Sequence, residues 1–221
     1  MERSQAPLQV TPRVFNQLVN DPTVDKIEIV GTIPMTETLK VDRPVTITGG
    51  ELTFSQTGQN LVLTSGGTVK GVVIRNTSGN GTSRRKAASD PVWSSTYGLQ
   101  VYNSEAVVED CTFVGGNAGL LVNGSTVTLK GTTTISGMSF GGIEVSKGAS
   151  TPNPGVLNIE GTLVNSGESY GKPTVWVDGT TEAEGKVNDS QGQLTMAVIK
   201  DQNQYYLDPA NATDPSTEVT E

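Results

Sequence analysis

Gly98-Leu99-Gln100-Val101-Tyr102, Gly119-Leu120-Leu121-Val122-Asn123, Gly142-Ile143-Glu144-Val145-Ser146 and Thr174-Val175-Trp176-Val177-Asp178 are four versions of one short unit. In each, branched aliphatics hold the first and third strand positions and mixed residues stand between them. That is the alternation of a strand with one face in a core. The first aliphatics fall at 99, 120, 143 and 175, so the steps between them are unequal. Unequal steps that return to one face describe rungs of a solenoid whose corners differ in length. The expected fold is all-β, a parallel β-helix.

The same alternation extends in both directions. Upstream lie Ile27-Glu28-Ile29-Val30, Leu39-Lys40-Val41, Val45-Thr46-Ile47, Leu52-Thr53-Phe54, Leu61-Val62-Leu63 and Val72-Val73-Ile74, several of them separated by Gly or Pro. Between and beyond the four units, Ala106 to Phe113, Val127-Thr128-Leu129 with Ile135, and Leu157-Asn158-Ile159 with Leu163 supply the other sheets. Two stretches, 76–97 and 147–155, lapse from the pattern and read as insertions pushed out of coil corners. Ahead of the coils, Thr11-Pro12 is a helix start, a capping residue followed by a proline at the first helical position. Val14, Phe15, Leu18 and Val19 form the predicted apolar stripe, and Asp21-Pro22 ends the helix. A single amphipathic helix before a solenoid is expected to cover the open end of the first coil. The resulting organisation is an arm at 1–10, a capping helix at 11–22, a β-helix at 23–193, cap strands at 194–207 and a mobile acidic tail at 208–221.

Composition points the same way. The 26 glycines and few aromatics suit stacked β-branched ladders with tight corners. The formal charge of −8 disfavours nucleic acid and anionic membranes as partners. Cys111 stands alone, which excludes an internal disulfide, and its place in the coil, equivalent to Val72, makes it a small core residue. No run of ~18 apolar residues is present, so no helical membrane span is expected. The first residues lack a charged segment followed by an apolar one, so no secretory signal is read.

The helix leading into Asp21-Pro22-Thr23-Val24-Asp25-Lys26-Ile27-Glu28-Ile29, and coils such as Gly71-Val72-Val73-Ile74 and Val108-Glu109-Asp110-Cys111-Thr112-Phe113, carry a resemblance. Over roughly residues 10 to 180 the chain resembles the right-handed parallel β-helix proteins of the pectate-lyase-like superfamily. That resemblance implies the fold, and it admits polysaccharide lyases and hydrolases, surface adhesins, and phage tailspikes or other virion proteins.

Catalysis finds little support in the residues. The chain has no histidine, which removes the commonest general acid or base and any His-containing triad or metal site. The histidine-containing segments of the lyases and the Asn-Thr-Asp, Gly-His-Gly and Arg-Ile-Lys segments of the hydrolases do not occur. Glu109-Asp110 is the one adjacent acidic pair in a regular coil, and neighbours on a strand face opposite ways, the wrong arrangement for two facing carboxylates. No cofactor or metal site is expected.

If the aliphatics point inward, the intervening residues stack outward. One file holds Val62, Gln100, Leu121, Glu144 and Trp176, and the next holds Thr64, Tyr102, Asn123, Ser146 and Asp178. Apolar and aromatic area on an outer sheet marks an interaction surface. Val62, Gln100, Tyr102, Leu121, Asn123, Glu144, Trp176 and Asp178 suit a glycan or protein partner. The competing reading is that the insertion around Trp93, or the segment near Tyr205-Tyr206, folds back and covers the file. Arg84, Arg85 and Trp93, in the larger insertion, are further loop candidates, the two arginines for an anionic group. The expected function is a non-catalytic structural or attachment module of a phage virion, a capsid decoration or head-fibre protein contacting capsid, itself or a glycan. Alternatives are a domain of a bacterial surface adhesin and a small glycan-active enzyme.

Overall fold

The computed structural model describes residues 11–78, 96–148, 152–165, 173–200 and 202–207. Along them the chain climbs through three parallel sheets in strict rotation. The first sheet stacks Lys26–Glu28, Thr46–Thr48, Gly67–Lys70, Glu105–Glu109, Thr126–Lys130, Gly155–Ile159 and Gly185–Asp189. The second stacks Thr32–Met35, Glu51–Phe54, Val73–Asn76, Thr112–Val114, Thr132–Ser136 and Thr162–Asn165. The third begins with Leu39–Val41, Leu61–Leu63, Tyr97–Tyr102, Ala118–Asn123, Ile143–Ser146 and Val175–Asp178. This is the parallel β-helix that the repeated unit predicts.

Strict register makes each inward position a continuous ladder. Ile27, Ile47, Val69, Val108, Leu129 and Ile159 stand over one another in the first sheet. Ile33, Leu52, Ile74, Phe113 and Ile135 do so in the second. In the third the aliphatics of the repeated unit form two ladders, Leu61, Leu99, Leu120, Ile143 and Val175 beside Leu63, Val101, Val122, Val145 and Val177. All are buried in one core, where removing a single methylene is felt because the neighbours above and below cannot close the gap. Cys111 lies in the same core, fully buried, in the rung above Val72.

The glycine that opens three of the four units has a steric reason. A Cβ at Gly119 would lie 2.8 Å from the Phe113 Cβ, and one at Gly142 would lie 2.1 Å from the Ile135 Cδ1. The corner between the second and third sheets therefore turns both the glycine and the following aliphatic inward.

The helix Pro12–Asn20 is capped as its sequence implies, the Thr11 hydroxyl accepting from the Val14 N–H at 3.3 Å. The apolar stripe is narrower than expected. Phe15 and Val19 are buried in the core and Leu18 packs at its margin, but Val14 is 42 % exposed and takes no part. Arg43 fastens the helix there, its Nε donating to the Val19 carbonyl at 2.7 Å and its Nη2 to the Leu18 carbonyl at 3.1 Å.

The far end is closed differently. Thr195–Lys200 and Asn203–Leu207 form an antiparallel hairpin, and Asn203–Leu207 pairs antiparallel with Val175–Asp178, extending the third sheet. At the open edge of the second sheet the Gln193 side chain imitates a strand. Its Oε1 accepts from the Leu163 N–H at 2.8 Å and its Nε2 donates to the Gly161 carbonyl at 2.8 Å.

Candidate functional site: the outer face of the third sheet

The third sheet differs from the others in cross-section. In Thr126–Lys130 of the first sheet, buried and accessible residues alternate. Four residues of Ile143–Ser146, and the first five of both Tyr97–Tyr102 and Ala118–Asn123, are buried without alternation. Such strands are covered on both faces.

The predicted outward file exists in register: Val62 opposite Gln100, then Leu121, Glu144, Trp176 and, from the hairpin, Tyr205. It is not a solvent-exposed face. Gln100, Leu121, Glu144 and Trp176 are 9, 6, 6 and 3 % exposed, and Val62 is half-buried. Tyr97, Ala118, Leu121, Trp176 and Tyr205 form a second hydrophobic cluster, separate from the core, with Phe140 and Tyr102 packed on it. Phe140 meets Trp176 edge to face, ring centroids 4.7 Å apart, a favoured aromatic geometry. Tyr205 stands beside Trp176 in the neighbouring strand, so its segment extends the third sheet and does not fold back over the file. Arg84, Arg85 and Trp93 lie outside the described residues, as do the arm and the acidic tail.

Polar groups are set into this cluster. The Tyr97 hydroxyl donates to Glu144 Oε2, and the Tyr102 hydroxyl donates to Gln100 Oε1. Burial, and then the negative charge of Glu144, push the Tyr102 phenol above its ordinary pKa, so it stays a donor. In the second file Tyr102 stands opposite Asn123, followed by Ser146 and Asp178. Asn123 Nδ2 donates to Ser146 Oγ at 3.0 Å. Tyr102, Asn123 and Asp178 are half-buried, so this file is the accessible margin of the covered face. Thr64 falls just past its strand, its N–H donating to the Val41 carbonyl at 3.0 Å.

Tyr97, Ala118 and Phe140 were not evident as site residues from the outward files. For Tyr97 and Ala118 the signal is the position before each opening glycine, where Tyr97, Ala118 and Gly141 shrink from rung to rung. A Cβ at Gly141 would lie 3.0 Å from the Trp176 ring, so the shrinking series makes room for the indole. Elsewhere the acidic pair has structural work: Glu109 pairs with Lys70 at 2.8 Å, and Asp110 Oδ1 accepts from the Thr132 N–H at 2.9 Å. Among the described residues no group of three or more His, Cys, Asp or Glu is placed to hold a metal ion. No family model, curated protein or solved structure matches this chain.

Proposed function

We propose that this protein is a non-catalytic attachment module, a phage virion component of the capsid-decoration or head-fibre kind, on a pectate-lyase-like β-helix. Its contact residues are the accessible file Tyr102, Asn123 and Asp178 beside the covered third-sheet cluster. The observation that carries the reading is the contrast within that sheet. A buried framework of Glu144, Tyr97, Gln100 and Trp176 holds one polar file rigidly at the rim, as a binding site on regular elements requires. A phenol and an amide on neighbouring rungs about 4.8 Å apart, with a carboxylate two rungs further on beyond Ser146, can hydrogen-bond a protein edge or a sugar. The acidic chain, at −8, is suited to remain unattached to nucleic acid while particles assemble around a genome.

The test is density-gradient fractionation of lysate from the producing culture, following this protein by mass spectrometry alongside capsid and envelope proteins. Co-migration with particles at fixed stoichiometry, reduced by Asn123→Ala with Asp178→Ala, is the expected result. Recovery with cell envelopes, or inside a larger polypeptide, overturns the virion reading in favour of a surface adhesin.

A further inference from the structure

Asn123 closes the strand Ala118–Asn123 and is followed by Gly124, so a chemically labile asparagine precedes the one residue whose amide nitrogen no side chain shields. It is the one Asn-Gly pair among the described residues, and Asn80-Gly81 is a second in the sequence. The corner does not let the glycine change. Gly124 has a φ of +57°, and a Cβ there would lie 2.7 Å from Asn103 Oδ1 and 2.7 Å from the Gly148 Cα. The asparagine is engaged as well, its Nδ2 donating to Ser146 Oγ at 3.0 Å and to the Lys147 carbonyl at 3.4 Å. The peptide unit between the two is held from both neighbouring rungs. Its carbonyl, on Asn123, accepts from the Asn103 N–H at 3.0 Å, and its N–H, on Gly124, donates to the Ser146 carbonyl at 2.8 Å.

We propose that Asn123 is a latent deamidation site, kept intact by the ladder bond from Gly124 to Ser146 and released when this corner opens. In the reaction the Gly124 nitrogen loses its proton to hydroxide and forms a bond to Asn123 Cγ. The Cγ–Nδ2 bond breaks, and Nδ2 leaves as ammonia after taking a proton from water. Water then opens the cyclic imide at either carbonyl, leaving aspartate or isoaspartate with no change of oxidation state. While it donates to Ser146, the Gly124 nitrogen cannot give up its proton and turn onto Cγ, so the rate follows the opening of the corner. The product replaces an amide donor by a carboxylate facing the Lys147 carbonyl, an acceptor against an acceptor. The chemistry stands apart from the proposed attachment role, which decides only what the exchange does to a partner.

Peptide mapping by mass spectrometry tests this on the full chain, held in alkaline buffer with and without unfolding urea. In urea both Asn123 and Asn80 should convert to aspartate and isoaspartate. In the folded chain the conversion of Asn123 should be at least about tenfold slower than in urea, because openings within a central coil are rare. Ser146→Ala removes the side-chain contact and leaves the backbone carbonyl, so the folded variant should keep the protection. Equal rates at Asn123 in the folded and unfolded chain overturn the proposal. So does an Asn123 that stays intact in urea while Asn80 converts. Fast conversion in folded Ser146→Ala overturns the assignment of the lock to the backbone bond.

Discussion

Tyr97 reaches across a whole intervening rung to donate its hydroxyl hydrogen to Glu144, passing over Ala118, which pairs with Tyr97 in register. Only a small side chain at 118 leaves that path open. Glu144 is 6 % exposed, so this donor offsets part of the cost of burying a carboxylate. Tyr97→Phe keeps the ring and removes the donor. It should cost about 1.5–3 kcal/mol in urea unfolding, the range for hydrogen bonds to charged groups. An unchanged midpoint would mean that the hydroxyl contributes nothing net.

Trp176 lies between Phe140 and Tyr205 and is 3 % exposed, so it behaves as core although it points away from the solenoid interior. Trp176→Ala should therefore destabilise by about 3–5 kcal/mol, the range for emptying a large buried aromatic. A binding loss with stability intact would instead make the indole a contact residue.

What was legible in the sequence follows from what period two encodes. Leu99 and Val101 are two apart and both inward, so their ladders, and with them the third sheet, can be read directly. The corner breaks that rule. Gly98 and Leu99 both face the core, as the 3.0 Å approach of a Gly98 Cβ to the Phe113 ring shows, and Tyr97 is thereby turned outward. A strand-period reading places Tyr97 in an insertion and misses its link to Glu144. The outward direction of Trp176 was equally legible and its burial was one of the two readings of the file, but the antiparallel pairing that sets Tyr205 beside it is a long-range contact with no local signal. In the helix, spacing alone could not exclude Val14, because which residues of an apolar stripe are buried is set by tertiary packing, here of Phe15 and Val19.

Arg43 joins the capping helix to the first coil through the carbonyls of Leu18, Val19 and Val24. The last carbonyls of a helix have no partner within it, and the guanidinium supplies several donors in one plane. Arg43→Met should cost about 2–3 kcal/mol. Amide exchange should accelerate first in Phe15 to Val19, ahead of the central coils, and Arg43→Lys should restore only part of the loss.

Cys111 offers a check on register that does not depend on the site. It is fully buried, and burial pushes its thiol up to about 11. The native protein should leave a thiol reagent unreacted at pH 8 and react once unfolded. The shift also has a sign in stability: below about 9 the thiol is protonated in both states, and between 9 and about 11 only the unfolded thiol ionises. The stability of the wild type relative to Cys111→Val should therefore fall as pH rises through that window.

Thr133 occupies the next rung of the same inward position, between Cys111 and Leu163. It is fully buried, and its hydroxyl has no hydrogen-bond partner among the described residues. Burying an unpartnered hydroxyl costs about 1–3 kcal/mol by mutational measures. Valine has nearly the same shape, and its second methyl replaces the hydroxyl without a desolvation penalty. Thr133→Val should thus stabilise the protein by about 1–2 kcal/mol, read as a higher urea midpoint with an unchanged slope. A destabilisation of similar size would mean that the hydroxyl is satisfied in solution, and would move Thr133 from a cost of the fold to one of its supports.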